Sequence, residues 1–171
     1  MTEKTKKRRL YLMCHGKTTH AQNMLNDFSK SLTQTGLNET LNIYHQIQHL
    51  KLPLPDCVLC SSATRTIQTL ELLTPLFPQA DIFYKDALYL APKERLEELI
   101  NTISNHYHTL FIIAHNNGLE NLLNCLINNP RKIYHLPPAG CALLTLKPEI
   151  YWRNLCQGTA FLNQILQPQK A

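Results

Sequence analysis

Short apolar runs alternate with amphipathic stretches along this chain, the pattern of consecutive βαβ units. Residues 10–13 (Leu-Tyr-Leu-Met) form a continuous apolar strand that stops at Cys14-His15-Gly16. Residues 57–60 predict a second strand after Pro53 and Pro55, and residues 81–84 a short third. Residues 109–114 predict a strongly apolar fourth, which runs directly into His115. Between the strands, apolar residues recur at helical spacing: Leu37, Leu41, Tyr44, Ile47 and Leu50; Ile67, Leu70, Leu73 and Leu76; Leu96, Leu99, Ile100 and Ile103; Leu119, Leu122, Leu123 and Leu126. Ser61 and Ser62 stand where the second helix would be capped, and Pro92 opens the third. The polar segment 17–35 reads as an active-site loop, and residues 140–146 and 150–155 read as a final pair of strands around Pro148. The expected fold class is α/β, a three-layer sandwich with a mostly parallel central sheet flanked by helices.

At 171 residues with 44% hydrophobic content, the chain suits one domain with one sizeable core. No repeat or linker divides it, so residues 1–171 are expected to form a single domain, with residues 1–8 as a basic tail. No apolar run reaches the roughly 18 residues a membrane helix needs. The apolar stretch behind the basic cluster is too short for a signal peptide, so the expectation is a cytoplasmic protein without a membrane partner. Much of the net charge of +5 lies in Lys4, Lys6, Lys7, Arg8 and Arg9. Basic residues interleaved with aromatics are not evident, so no nucleic-acid partner is expected.

The six cysteines fall mostly in apolar segments and read as buried free thiols. Cys57 and Cys60 make a lone C-x-x-C without the second pair that structural zinc wants. His45 and His49, four apart on a helix, lack further ligands nearby and read as a polar face.

Chemistry in open α/β sheets gathers at the carboxyl ends of the strands. Three such ends carry charge-capable residues here: Cys14-His15-Gly16-Lys17-Thr18, Ser61-Ser62-Ala63-Thr64-Arg65 and His115-Asn116-Asn117-Gly118. If those strands are parallel neighbours, two histidines, an arginine and helix N-termini meet, an arrangement suited to phosphate. A neutral imidazole can attack phosphorus while cations spread the charge of the phosphoryl oxygens.

These residues also carry a family resemblance. Residues 10–16 resemble the Leu-x-Leu-x-Arg-His-Gly opening of the histidine phosphatase superfamily, the phosphoglycerate mutase-like proteins. Residues 61–69 are similar to its second motif, and residues 114–120 to its Gly-His-Asn-Pro-Gly-Leu-Glu segment. Leu32-Thr33-Gln34-Thr35-Gly36 matches a Leu-Thr-x-x-Gly segment, with Asp27 at the usual spacing before it. Residues 87–92 and 136–140 point further, to the small SixA-type phosphohistidine phosphatases.

The resemblance implies a phosphoglycerate mutase-like fold and hydrolysis of a phosphomonoester or phosphoramidate through a phosphohistidine intermediate. No cofactor and no metal are implied. His15 would be the nucleophile, Arg65 would bind phosphoryl oxygens and His115 would stabilise charge in the transition state. Gly16, Lys17, Thr18, Ser61 and Asn116 would be phosphate contacts along with position 14, and Asp86 is a candidate acid. The implied partner is a phosphohistidine-bearing protein or a phosphorylated small molecule.

One position departs from the pattern: Cys14 stands where the family has its first arginine. A thiol is short and cannot fork onto phosphate. Lys17 is a candidate to supply the missing charge. The alternative reading is a family member that binds phosphorylated ligands or proteins without turnover. A mutase would want a longer chain with substrate-gripping insertions. Redox chemistry between Cys14 and Cys60 is a further candidate, on the assumption that both sit at neighbouring strand ends.

Overall fold

Leu10, Leu12 and Cys14 on the first strand join one apolar cluster, while Tyr11 and Met13 join another. That alternation makes the sheet the middle layer of three. The structure is a computed structural model that describes residues 6–19 and 26–170. Its elements are β1 (Arg9–Cys14), α1 (Gln34–Leu50), β2 (Cys57–Ser61), α2 (Thr64–Leu73), β3 (Asp81–Lys85), α3 (Lys93–Asn101), β4 (Thr109–Ala114), α4 (Gly118–Ile127), β5 (Cys141–Leu146) and β6 (Ala160–Leu166).

The six strands lie in the order β3-β2-β4-β1-β5-β6. The first four in that order are parallel, and β5 runs antiparallel to both β1 and β6. Ile43, Ile47, Leu70 and Leu73 of α1 and α2 cover one face. Leu96, Ile100, Leu119, Leu122, Leu123 and Leu126 of α3 and α4 cover the other, with Trp152 buried among them. Trp152 sits in a short 3-10 turn, Trp152–Asn154, and its indole N–H donates to the Tyr107 carbonyl at 2.9 Å. The α/β sandwich expected from the pattern is therefore present.

Register decides what meets at the carboxyl edge. Cys14 pairs with Ala114 across β1 and β4, and Cys60 pairs with Ile113 across β2 and β4. His15, Ser61 and His115 consequently emerge side by side. The loop after β1 is also held against α1 by two glycines. Thr33 caps α1 by accepting from the Gly36 amide at 3.0 Å. A Cβ on Gly36 would stand 2.2 Å from the Lys17 carbonyl oxygen, and one on Gly16 would stand 2.8 Å from the Gly36 carbonyl oxygen. Only glycine permits this approach of main chain to main chain.

Four expectations change. The last strand is β6, not residues 150–155; there the apolar residues serve a 3-10 turn that buries Trp152. Ser61 ends β2, and the residue capping α2 is Ala63, without a side-chain bond. Arg8 is docked: its carbonyl accepts from Leu146 at 2.9 Å and its guanidinium lies 4.3 Å from the centre of the Tyr151 ring. Lys4 lies outside the described residues. Finally, β4 separates β1 from β2, and Cys14 and Cys60 face opposite layers, so the two thiols are not brought together. Cys57 and Cys60 also face opposite layers, because three residues along a strand reverse the side.

Candidate active site

His15 follows β1 directly. Its Nδ1 lies 2.7 Å from the Gly16 carbonyl oxygen. A carbonyl only accepts, so Nδ1 carries the proton and Nε2 keeps a lone pair. Burial, above all, pulls the His15 pKa down to about 4, and the Gly16 bond only partly opposes it; the charges of Arg65 and Lys30 push the same way as burial. The ring is therefore neutral at pH 7 with Nε2 available to attack.

Arg65 reaches that nitrogen. From the first turn of α2, only 3% exposed, it donates through Nε to His15 Nε2 at 3.2 Å. Its other nitrogens hold Asp27: Nη1 donates to the main-chain oxygen at 2.6 Å and Nη2 to Oδ2 at 2.9 Å. Tyr89 donates its hydroxyl to the same Oδ2 at 2.5 Å. That bond first, then the Arg65 guanidinium, lowers the Asp27 pKa against the opposing effect of burial. Lys30 Nζ lies 3.9 Å from Oδ1.

His115 follows β4. Its ring centre is 5.3 Å from that of His15 and 5.4 Å from that of Tyr89. Nε2 lies 2.8 Å from Ser61 Oγ, while Nδ1 is buried and has no partner. Burial, reinforced by the Arg65 charge, pulls its pKa down to about 3. It too is a neutral imidazole.

The remaining candidates take several places. The Cys14 side chain packs with the α3 and α4 layer, 4% exposed, and burial raises its thiol to about 11. It is a protonated wall residue. The Gly16 amide is spent on Thr69 Oγ1 at 3.0 Å. Thr18 bridges to Leu32, and Lys17 is exposed, its carbonyl accepting from the Thr33 amide at 2.9 Å. The Asn116 amide donates to the Leu136 carbonyl at 2.7 Å and toward Glu120 at 3.3 Å, and its Oδ1 is buried without a partner. Asp86 is exposed in the turn Asp86–Leu88, where its carbonyl accepts from Tyr89. Among the described residues, no group of three or more histidines, cysteines or acids could hold a metal. None of their helices is long and apolar enough to cross a membrane.

Sequence reasoning did not single out Tyr89 or Lys30, which the structure places on Asp27, and left Asp27 without a role. Their one signal was proximity to recognisable segments, Tyr89 within residues 87–92 and the other two just before Leu32-Thr33.

No protein-family model and no curated protein matches the sequence. Solved structures do. One assigned as phosphohistidine phosphatase SixA from Agrobacterium tumefaciens superposes with a TM-score of 0.79 at 25% identity, covering 94% of this chain and 98% of that one. Another of that assignment, from Nakamurella multipartitia, gives 0.78 at 24% identity over 95% and 96%. The protein histidine phosphatase SixA complexed with tungstate gives 0.72 at 18% identity over 94% and 97%. The chain therefore shares its fold with these phosphohistidine phosphatase structures.

Proposed function

We propose that the chain is a phosphatase that passes a phosphoryl group through His15, with phosphohistidine on a protein or a phosphomonoester as substrate. The observation that carries this reading is the 2.7 Å contact between His15 Nδ1 and the Gly16 carbonyl oxygen, which fixes the tautomer because a carbonyl only accepts. The His15 proton is committed to Gly16, and its unprotonated Nε2 accepts from the Arg65 guanidinium.

Nε2 attacks phosphorus, so an N–P bond forms as the bond to the leaving group breaks. For phosphohistidine the departing imidazole takes a proton from solvent; for a phosphomonoester the departing oxygen does. Arg65 turns its N–H groups from Nε2 and Asp27 onto the phosphoryl oxygens, where charge concentrates. His115 contributes a neutral ring N–H, held in position by Ser61. Water then attacks phosphorus and loses a proton to solvent, the N–P bond breaks and the lone pair returns to Nε2. The products are inorganic phosphate and the dephosphorylated substrate, and His15 is returned to its starting state.

A second reading, binding without turnover, draws on Cys14 and on the way Asp27 occupies Arg65. Phosphate release from a phosphohistidine protein and from a general phosphomonoester, by the parent chain and His15→Ala, separates the two. Release that vanishes in His15→Ala supports the phosphatase. Binding of phosphorylated protein with no release by the parent chain supports the second reading.

A further inference from the structure

We infer that Lys30 is the second phosphoryl-binding cation of this site and occupies the electrostatic role left open by Cys14. The inference rests on the phosphatase reading of His15 and extends it.

A phosphoryl group arrives with close to two negative charges, and Arg65 is a single cation. The Cys14 side chain adds none, since it packs into the α3 and α4 layer. Lys17 is next to His15 in sequence, yet it is exposed and its main chain is what bonds to the start of α1.

Lys30 differs in three respects. Its side chain is only 17% exposed, an unusual degree of burial for a lysine, so its stem is packed and its head group is carried beside Asp27. Its neighbours are fixed: the Phe28 carbonyl accepts from Thr64 at 3.0 Å, the Lys30 amide donates to the Asp27 carbonyl at 3.2 Å, and the Leu32 amide donates to Gln68 Oε1 at 2.8 Å. Above all, Lys30 and Arg65 share one anion. Asp27 presents Oδ1 to Lys30 at 3.9 Å and Oδ2 to Arg65 at 2.9 Å.

The Asp27 carboxylate thus shows what the two cations bind when they act together. It lies one guanidinium away from His15 Nε2, the atom that will bear phosphorus. The Lys30 charge is already felt at His15, alongside that of Arg65. A phosphoryl group on Nε2 competes with the Asp27 carboxylate for both cations and displaces it. A lysine offers a point charge in place of a planar fork. The charge is supplied, while the orientation of the phosphoryl oxygens falls to Arg65.

The test is calorimetric binding of tungstate, which needs no turnover, to the parent chain, Lys30→Ala, Lys30→Arg, Arg65→Ala and Lys147→Ala, the last controlling for net charge. Phosphate release is followed in parallel. Lys30→Ala is expected to bind tungstate roughly ten- to thirtyfold more weakly, the effect of removing one charge-assisted contact. Lys30→Arg should remain within a few-fold of the parent, and Lys147→Ala should equal it. If Lys30→Ala binds like the parent while Arg65→Ala has lost binding, the role of Lys30 is overturned and the site itself stands. If neither substitution alters binding, the oxyanion lies elsewhere and the phosphatase reading falls with it.

Discussion

The Ser61 hydroxyl and His115 Nε2 lie 2.8 Å apart, both shut away from solvent, at the ends of two strands that are neighbours in the sheet. The bond locks the His115 ring beside His15 and gives a buried nitrogen its partner. Ser61→Ala is therefore expected to cost about 1–3 kcal/mol in stability, since it leaves that nitrogen unsatisfied. Turnover should fall as well. Urea unfolding and phosphate release measure the two effects, and parent-like values in both would show that the bond positions nothing.

Arg65 uses three nitrogens in three directions, to His15 Nε2, to the Asp27 carbonyl and to the Asp27 carboxylate. Lysine keeps the charge and loses the fork. Arg65→Lys should retain the parent's circular dichroism yet release phosphate roughly a hundredfold more slowly, or worse. Turnover close to that of the parent would mean that charge alone suffices.

The two depressed histidines predict an acid-sensitive fold. Each has a usual value of 6.5, against about 4 for His15 and about 3 for His115 when folded. Below pH 6.5 the unfolded chain takes up protons that the folded chain refuses, so stability is fullest above 6.5 and drains as pH falls toward 3. Urea midpoints at pH 7.5, 5.5 and 4.5 should decline in that order. In addition, the acid limb of kcat/KM should lie near pH 4, because that is where Nε2 loses its lone pair. A limb at 6.5 would mean that His15 is solvated in the working enzyme.

Gly36→Ala tests the contact that seats the loop after β1. The added methyl would sit 2.2 Å from the Lys17 carbonyl oxygen, and backbone must yield. A loss of about 1–3 kcal/mol or more is expected, with lower turnover because residues 16–17 move with it. An unchanged urea midpoint would show that α1 slides freely past this loop.

Much of this architecture was readable in the chain because parallel strands buried on both faces write themselves as unbroken apolar runs. Residues 109–114 are the plainest case, and the polar residues that follow such runs had to lie at one edge. His15, Arg65 and His115 were expected at one edge that way, and the structure brings them together there. Position 14 was expected at the phosphate site, whereas the structure turns its side chain into the α3 and α4 layer, an orientation that depends on strand alternation and on what covers the sheet. Asp27 and Lys30 were harder to find because they belong to an irregular segment, where no periodicity says which way a side chain turns. Residues 150–155 misled for a different reason: a buried tryptophan in a 3-10 turn has the same apolar appearance as a strand.

Trp152 is the chain's one tryptophan, and it is fully buried, its indole bonded to Tyr107. Nature has in effect installed a single fluorophore in the layer formed by α3 and α4. Its emission should be blue in the folded protein and shift red on unfolding, free of overlapping signals from other indoles. Because the sheet stands between it and α1 and α2, a disturbance confined to the α1–α2 side should leave that emission unmoved. Light from one ring can thus tell a loosened loop from a melted domain.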